Sequence, residues 1–123
     1  MSDDLFAPMR QALERAMDES APDAGLRVRK MFGGVGVYAH ERMFASLSNV
    51  GLALKLDAAG RAALLREPGA RPLQYEPDGP VSATYVVVPA RIWRDPVAFL
   101  PWVSGSAAHV ATLPPPKRRT RKS

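Results

Sequence analysis

Apolar positions near the N-terminus recur at a helical spacing, once in every four residues. A helix turns once in about 3.6 residues, so these positions form one apolar stripe that would face a core. Asp3 or Asp4 is expected to cap this helix, and Pro8 falls in its first turn, where a missing amide costs little. The segment Ser20-Ala21-Pro22 is expected to end it. The stripe consists of Leu5, Met9, Leu13 and Met17.

From residue 27 to residue 56 the apolar positions alternate with polar or small ones, which is typical of half-buried strands. The alternation predicts three strands. Residues 27–32 are expected to begin the first strand, with a bend at Gly33-Gly34. The links between strands are short and rich in turn-forming residues, so the strands should form an antiparallel meander. The clearest alternation covers residues 35–39, 43–48 and 52–56.

The middle of the chain predicts a short helix and further strands. Asp57 is placed to cap a helix over residues 58–66, which the following Pro68-Gly69 would stop. A short strand is expected near residues 73–75 and a stronger one over residues 81–88. Both faces of the stronger strand are partly apolar, which favours a position inside the sheet.

The last helix is expected to begin at Asp95-Pro96, where an aspartate cap precedes a proline at the first helical position. Pro101 and Gly105 fit a helix interior badly, because proline lacks the amide and clashes with the preceding turn. We therefore expect a bent or broken helix that resumes over residues 107–112. The residues expected to face the sheet are Phe99, Leu100, Trp102 and Val103.

This order of elements predicts an α+β fold. Strands in consecutive runs favour a two-layer α/β domain with a mainly antiparallel sheet, in the order α-β(3)-α-β(2)-α. A length of 123 residues fits one domain, which we expect over residues 1–113. Three prolines at positions 114 to 116 should stop regular structure. Residues 114–123 are therefore expected to form a disordered, proline-rich and basic tail.

Composition excludes several classes of protein. The chain has no cysteine, so disulfide frameworks, thiolate metal sites and cysteine nucleophiles are absent. Its acidic start has no basic or apolar leader region, and no apolar run approaches the roughly 18 residues of a transmembrane helix. We therefore expect a cytoplasmic protein with neither a signal peptide nor a membrane partner.

The formal net charge of +5 belongs to the C-terminal tail. The remaining 12 basic residues equal the 12 acidic residues in number. Flexible cations neutralise phosphates without reading bases, so the tail predicts a nonspecific, salt-sensitive contact with DNA or RNA. The tail cations are Lys117, Arg118, Arg119, Arg121 and Lys122.

Candidate catalytic groups are sparse along the chain. His40 lies in a predicted turn and His109 in the last helix, without a neighbouring metal-ligand spacing. The glycines at positions 33, 34 and 36 resemble part of a phosphate-binding loop, but they lead into a strand and not a helix, so a bend or bulge is the simpler interpretation. The strand serines lack the glycines of a nucleophile elbow. The sequence therefore predicts no catalytic, cofactor-binding or metal-binding residue.

Basic and aromatic side chains in the predicted strands are candidates for a second nucleic-acid-binding surface, besides the tail. They could form a basic patch, or platforms on which bases stack. An ordinary solvated face and core packing are the simpler interpretations. The basic residues are Arg27, Arg29, Lys30, Arg42 and Lys55, and the aromatic ones are Tyr38, Phe44 and Tyr85.

Several strings, in order, resemble the TfoX/Sxy N-terminal domain family. These are RKMFGGVGVY at residues 29–38, MFASL at residues 43–47 and LALKLD at residues 52–57. YVVVP at residues 85–89 and the Asp95-Pro96 helix start also match the layout, so the likeness spans roughly residues 5–112. The residues that mark the fold of this family are Met31, Phe32, Gly33, Gly34 and Lys55.

The resemblance implies the same two-layer fold and a role in bacterial gene regulation. TfoX/Sxy proteins promote the expression of DNA-uptake competence genes, working with a transcription activator. The family has no catalytic residues to carry over, so the resemblance implies no enzyme and no cofactor. Its full-length regulators carry a second, C-terminal domain, and we expect this chain to be a stand-alone N-terminal module.

Three functional hypotheses follow. The leading one is a non-enzymatic regulatory or interaction module that binds a protein partner such as a transcription activator. The alternative is a nucleic-acid-binding accessory protein in its own right, and a small enzyme or ligand binder comes last. Dimerisation with a second copy through an open sheet edge is compatible with the sequence but not required by it.

Overall fold

A computed structural model describes residues 6–31, 34–74 and 76–114 of the chain. Within these ranges the chain forms four helices and six strands, which confirms the α+β class expected from the sequence. The helices are α1 (Ala7–Ser20), α2 (Ala58–Leu65), α3 (Ala90–Trp93) and α4 (Pro96–Ala111). The strands are β1 (Arg27–Met31), β2 (Gly34–Ala39), β3 (Arg42–Ser48), β4 (Gly51–Lys55), β5 (Arg71–Pro72) and β6 (Tyr85–Val87).

The six strands form one antiparallel sheet in the order β1-β2-β3-β4-β6-β5. Helix α4 packs across β2, β3 and β4, and α1 packs against α4. The core therefore lies between the helices and one face of the sheet. Each large apolar side chain buried there contributes about 1.5–3 kcal/mol. The largest fully buried side chains include Leu13, Met17, Phe44, Leu47, Leu54 and Phe99.

Residues 27–39 form two strands instead of the single bent strand expected. β1 pairs antiparallel with β2, from Arg27 opposite Tyr38 to Met31 opposite Gly34, so the chain reverses direction between Met31 and Gly34. Side-chain alternation cannot reveal this reversal, because both strands keep the same period of two.

The pairing of β2 with β3 shifts by one residue. Val37 lies opposite Ala45 while Tyr38 lies opposite Met43, so Phe44 is the extra residue of a β-bulge. Phe44 and Ala45 are both fully buried in the core beneath the helices. The simpler interpretation, core packing, is therefore confirmed for Phe44, and the alternative of a surface platform for bases does not apply to it.

Strand β6 covers only the end of the strand expected over residues 81–88. The Ser82 hydroxyl accepts hydrogen bonds from the amides of Thr84 (3.2 Å) and Tyr85 (2.9 Å). This local turn competes with pairing in the sheet, so strand structure begins only at Tyr85. β6 lies between β4 and β5, as its two apolar faces predict.

The apolar stripe predicted for α1 is confirmed where the structure describes it, since Met9, Leu13 and Met17 are buried. The expected aspartate cap is wrong, because Phe6 occupies the N-cap position and makes no side-chain cap hydrogen bond. Pro8 lies in the first turn and has no amide to satisfy there. Asp3, Asp4 and Leu5 lie outside the described residues.

The caps predicted for α2 and α4 are present. The carboxylate of Asp57 accepts a hydrogen bond from the amide of Gly60 at 2.7 Å. The carboxylate of Asp95 accepts from the amides of Val97 (3.1 Å) and Ala98 (3.4 Å). Both side chains thus satisfy amides that a helix N-terminus leaves without partners.

Helix α4 is continuous, so the expected break near residue 101 is wrong. Pro101 and Gly105 both lie on the exposed side of the helix. The opposite side is buried over about three turns, which stabilises the helix by more than one lost backbone hydrogen bond costs. The buried residues of α4 are Phe99, Val103, Ser106, Ala107 and Val110.

Candidate functional site

Basic and aromatic residues line up across the sheet face that is turned away from α1 and α4. Residues directly opposite each other in a sheet project from the same face. Arg27 lies opposite Tyr38, Tyr38 opposite Met43, and Lys55 opposite Tyr85. We call the residues Arg27, Tyr38, Met43, Lys55 and Tyr85 the basic–aromatic row.

Four members of this row line a groove with a cavity volume of about 320 Å³. They are Tyr38, Met43, Lys55 and Tyr85, and all four are partly exposed. The Tyr85 hydroxyl donates a hydrogen bond to the Met43 carbonyl at 3.2 Å, which ties β6 to β3 across the intervening β4. The remaining lining residues come from the β2–β3 turn and from the chain after α4, and they are Glu41, Arg42, Leu113 and Pro114.

Arg42 connects the groove to the end of α4. Its two terminal nitrogens each donate a hydrogen bond of 2.7 Å, Nη1 to the carbonyl of His40 and Nη2 to the carbonyl of Leu113. The Nε atom is buried and has no hydrogen-bond partner. Because arginine stays protonated in proteins, this fixed guanidinium keeps a positive charge beside the groove.

The turn between β2 and β3 has an uncommon backbone. His40 and Glu41 have φ values of 54° and 64°, the left-handed conformation that a type I′ hairpin turn requires at both central positions. Neither residue is glycine, so the conformation costs free energy. A hydrogen bond of 2.7 Å from the His40 amide to the Ala24 carbonyl helps to hold it. The turn places Glu41 beside the groove.

The groove carries more positive than negative charge. Lys55 and Arg42 line it, Arg27 lies next to Tyr38 at its side, and Glu41 is the carboxylate in the lining. Among the described residues, the ion pairs are Arg10–Glu14 and Arg91–Glu67, both away from the groove. The lining of the groove therefore carries two cations and one carboxylate, a net positive charge that favours an anionic ligand.

The neighbouring part of the same sheet face is covered. Ser46 and Ser48 are 4% and 2% exposed, and Ala53 is fully buried. Leu73 and Val87 pack on Ala53. The short strand expected near residues 73–75 lies two residues earlier, as β5, and Leu73 directly after it is buried against this face. The basic–aromatic row, together with Arg29, therefore remains accessible on this face.

Ser106 is a buried polar residue with a structural role. Its hydroxyl donates to the Lys55 carbonyl at 2.7 Å and lies 3.3 Å from the Phe44 carbonyl. The bulge at Phe44 and the end of β4 leave these carbonyls outside regular pairing. Ser106 thus joins α4 to the strands beneath the groove. Sequence reasoning missed it, since nothing local marks a buried serine on a helix.

The predicted basic patch is split between the two faces of the sheet. Arg27, Arg29 and Lys55 share the face of the basic–aromatic row. Lys30 lies opposite Val35 and Arg42 opposite Ala39, so both project towards the helix side. Sequence reasoning missed Met43 as a groove residue and the contact of Arg42 with Leu113, because both depend on strand register and on the bulge.

Several predicted residues lie outside the described part of the chain. Among the family fold markers these are Phe32 and Gly33, whereas Gly34 and Lys55 lie in β2 and β4, and the backbone of Met31 lies in β1. The five tail cations also lie outside it: Lys117, Arg118, Arg119, Arg121 and Lys122.

The described residues contain no group of three histidine, aspartate or glutamate side chains that could hold a metal ion. His40 lies in the β2–β3 turn and His109 in the last turn of α4, as predicted. Across the described ranges, none of the helices combines the length and the apolar character needed to cross a membrane.

Comparison with known proteins agrees with the motif analysis. No curated protein matches the chain. The sequence profile described as the TfoX N-terminal domain matches residues 21–110, which is well over half of the chain and includes every strand, the bulge and most of α4. The chain therefore belongs to the TfoX N-terminal domain family.

Proposed function

We propose that this chain is a non-enzymatic regulatory module that acts on gene expression by binding a protein partner such as a transcription activator. Two findings support the proposal: membership of the TfoX N-terminal domain family, and an open sheet edge suited to strand addition.

The observation that carries the proposal is the outer edge of β1. This strand is the last in the sheet on its side, and Arg27, Val28, Arg29 and Lys30 are all exposed. Val28 is 47% exposed although it is apolar. An edge strand offers amides and carbonyls to an extended segment of another protein. The cations favour a partner segment that carries carboxylates.

The same edge disfavours pairing with a second copy of the chain. Two β1 strands paired antiparallel about Arg29 would bring Arg27, Arg29 and Lys30 of each copy close to those of the other. Like charges opposite each other destabilise a strand pair. We therefore propose a heterologous acidic partner and not a homodimer through β1.

The tail adds a second contact in this proposal. Its cations would give weak, sequence-independent attraction to DNA near the regulated gene. If all five tail cations engaged duplex DNA, the slope of log K against log salt would be about −4.5 at most. The protein partner, and not the tail, would then supply the choice of gene.

A charge reversal on β1 tests the proposal. Lys30→Glu changes the charge at the edge by two units while leaving the basic–aromatic row intact. We expect it to weaken binding to the cognate transcription activator by about tenfold, measured by titration calorimetry, because an acidic partner would meet a like charge. The matched control is Arg66→Glu, an equal charge change at an exposed residue after α2.

Equal affinities for the wild type, Lys30→Glu and Arg66→Glu would contradict edge binding. Turnover of a small-molecule substrate by the purified chain would contradict the non-enzymatic role. The basic–aromatic row specifically favours one alternative, a nucleic-acid-binding accessory protein, whose geometry is developed below.

A further inference from the structure

We infer that the groove binds single-stranded nucleic acid, with an unpaired base stacked on Tyr38 and the adjoining phosphates beside Lys55 and Arg27. This goes beyond the proposed protein-binding role and uses the sheet face and not the outer edge of β1, with Arg27 lying where the two surfaces meet. The inference rests on three features of the groove: the order of its side chains, its volume and its position at the start of the basic tail.

The order of side chains matches the chemistry of a single strand. Proteins that bind such strands combine cations along the backbone path with aromatic rings on which bases stack. Along the basic–aromatic row, Tyr38 on β2 lies between Arg27 on β1 and Met43 on β3. Lys55 follows on β4. Neighbouring strands are about 4.8 Å apart, so the path from Arg27 to Lys55 is about 14 Å long.

The volume of the groove favours unpaired bases. About 320 Å³ is at the lower end of the range of roughly 300–1,000 Å³ found for small-molecule sites. A site of this size accepts a base with its sugar. In a duplex the faces of each base are covered by its neighbours, so no base face is available to Tyr38.

Charge favours a polyanion over the other occupants. Arg42 and Lys55 line the groove, and Glu41 at the turn is exposed, where solvent and salt screen its charge. The basic tail itself is a poor occupant, because it carries the same sign as these two residues. The negative charge of a nucleic acid complements the positive charge of both the groove and the tail.

The tail begins at the groove. Leu113 and Pro114 line it, and Leu113 is held by Arg42. The basic residues that follow in the sequence, from Lys117 to Lys122, would add positive charge for the same strand.

Fluorescence anisotropy of the full-length chain tests the inference. The probes are a labelled 12-mer of deoxythymidine, a duplex of the same length, and inorganic polyphosphate as a competitor without bases. We expect the single strand to bind more tightly than the duplex. Tyr38→Ala should lose about 5- to 150-fold in affinity for the single strand, the range that base–aromatic stacking supplies, whereas Tyr38→Phe should retain it.

Further variants separate the groove from the tail and guard against misfolding. Replacing the five tail cations with glutamine in the full-length chain should flatten the salt dependence but keep the preference for the single strand. Lys55→Gln should weaken binding, while Arg66→Gln, which removes the same charge from an exposed residue after α2, should change it by less than twofold. Circular dichroism and thermal unfolding establish that each variant is folded.

Three outcomes would overturn the inference. Folded Tyr38→Ala and Lys55→Gln variants that bind the single strand like the wild type would leave only the tail as the binding element. Equal affinity for single strand and duplex, with full displacement by polyphosphate, would show that binding depends on charge and not on base stacking. Binding of an acidic tyrosine-containing peptide that depends on Tyr38, with no binding of the oligonucleotide, would make the occupant a protein segment. None of these outcomes bears on the Lys30→Glu test of the β1 edge.

Discussion

At the scale of single residues, Gly34 lies where β2 and β3 approach too closely for a side chain. A Cβ atom at this position would meet the backbone carbonyl oxygen of Leu47. Because that atom belongs to the backbone of a paired strand, it cannot swing aside as a flexible side chain does. The glycine of the family motif is therefore required by the spacing of the sheet.

Gly34→Ala is expected to lower the free energy of unfolding by about 1–3 kcal/mol, because the strands must separate to admit the methyl group. The matched variant is Gly105→Ala on α4, where a Cβ atom meets nothing within 4 Å. That variant should raise stability by about 0.5–1 kcal/mol, since alanine favours a helix interior over glycine. Urea unfolding measures the change in the free energy of unfolding for each variant. Changes of the same sign in both variants would contradict this explanation.

Ser106 poses a different test at the same scale. Ser106→Ala removes the hydroxyl that donates to the Lys55 carbonyl and leaves a buried acceptor without its partner. We expect stability to fall by about 1–3 kcal/mol. Ser104→Ala, on the exposed side of the same helix, should change it by less than about 0.5 kcal/mol. Chemical denaturation that shows equal losses would remove the role assigned to Ser106.

At the scale of elements, the β2–β3 turn holds two non-glycine residues in the left-handed conformation. Glu41→Gly should raise stability by about 0.5–1 kcal/mol, since glycine adopts this backbone without a Cβ clash. Glu41→Val should lower it, because a β-branched residue is strained there. The melting temperatures of the wild type and the two variants test this order of stability. A valine variant as stable as the wild type would contradict the geometry of the turn.

The elements also show how far sequence patterns reach. Period-two alternation found β2, β3 and β4, and the aspartate caps placed α2 and α4. The same alternation could not separate β1 from β2, because a two-residue reversal preserves it. The strand expected from residue 81 was shortened by the Ser82 hydroxyl, whose hydrogen bonds to Thr84 and Tyr85 are specific to this segment.

The continuity of α4 is a further case in which packing overrides local preference. Pro101 and Gly105 each weaken a helix by their own chemistry. Both lie on the exposed side, while Phe99, Val103 and Val110 are buried against the core. Local propensity predicted a break, and burial of the opposite side maintains the helix.

At the scale of the whole molecule, the candidate site depends on register across five strands. The sequence identified Arg27, Tyr38, Lys55 and Tyr85 as basic or aromatic residues without placing them together. Their alignment follows from strand pairing, and the bulge buries Phe44, the remaining aromatic residue considered for this surface. The groove also needs Leu113 and Pro114, which lie more than 50 residues away from β3 and β4 in sequence. No local pattern encodes such a contact.

The charge distribution of the molecule predicts two modes of association with different salt dependence. Contacts through the tail should fade steeply as ionic strength rises, because they release counterions. A protein partner paired with the β1 edge gains backbone hydrogen bonds as well as charge, so its binding should persist at higher salt. Calorimetric titrations at 50 and 300 mM salt compare the affinity for the activator with the affinity for duplex DNA. Equal losses of affinity for both would contradict two separate modes of binding.

The central claim is that the module acts by offering the outer edge of β1 to a protein partner. The most direct measurement is the change in backbone amide chemical shifts of the labelled, full-length chain as the transcription activator is added. The account predicts the largest changes at Val28, Arg29 and Lys30 and smaller ones along β2. Changes confined to α1 and α4, with the amides of β1 unmoved, would contradict it.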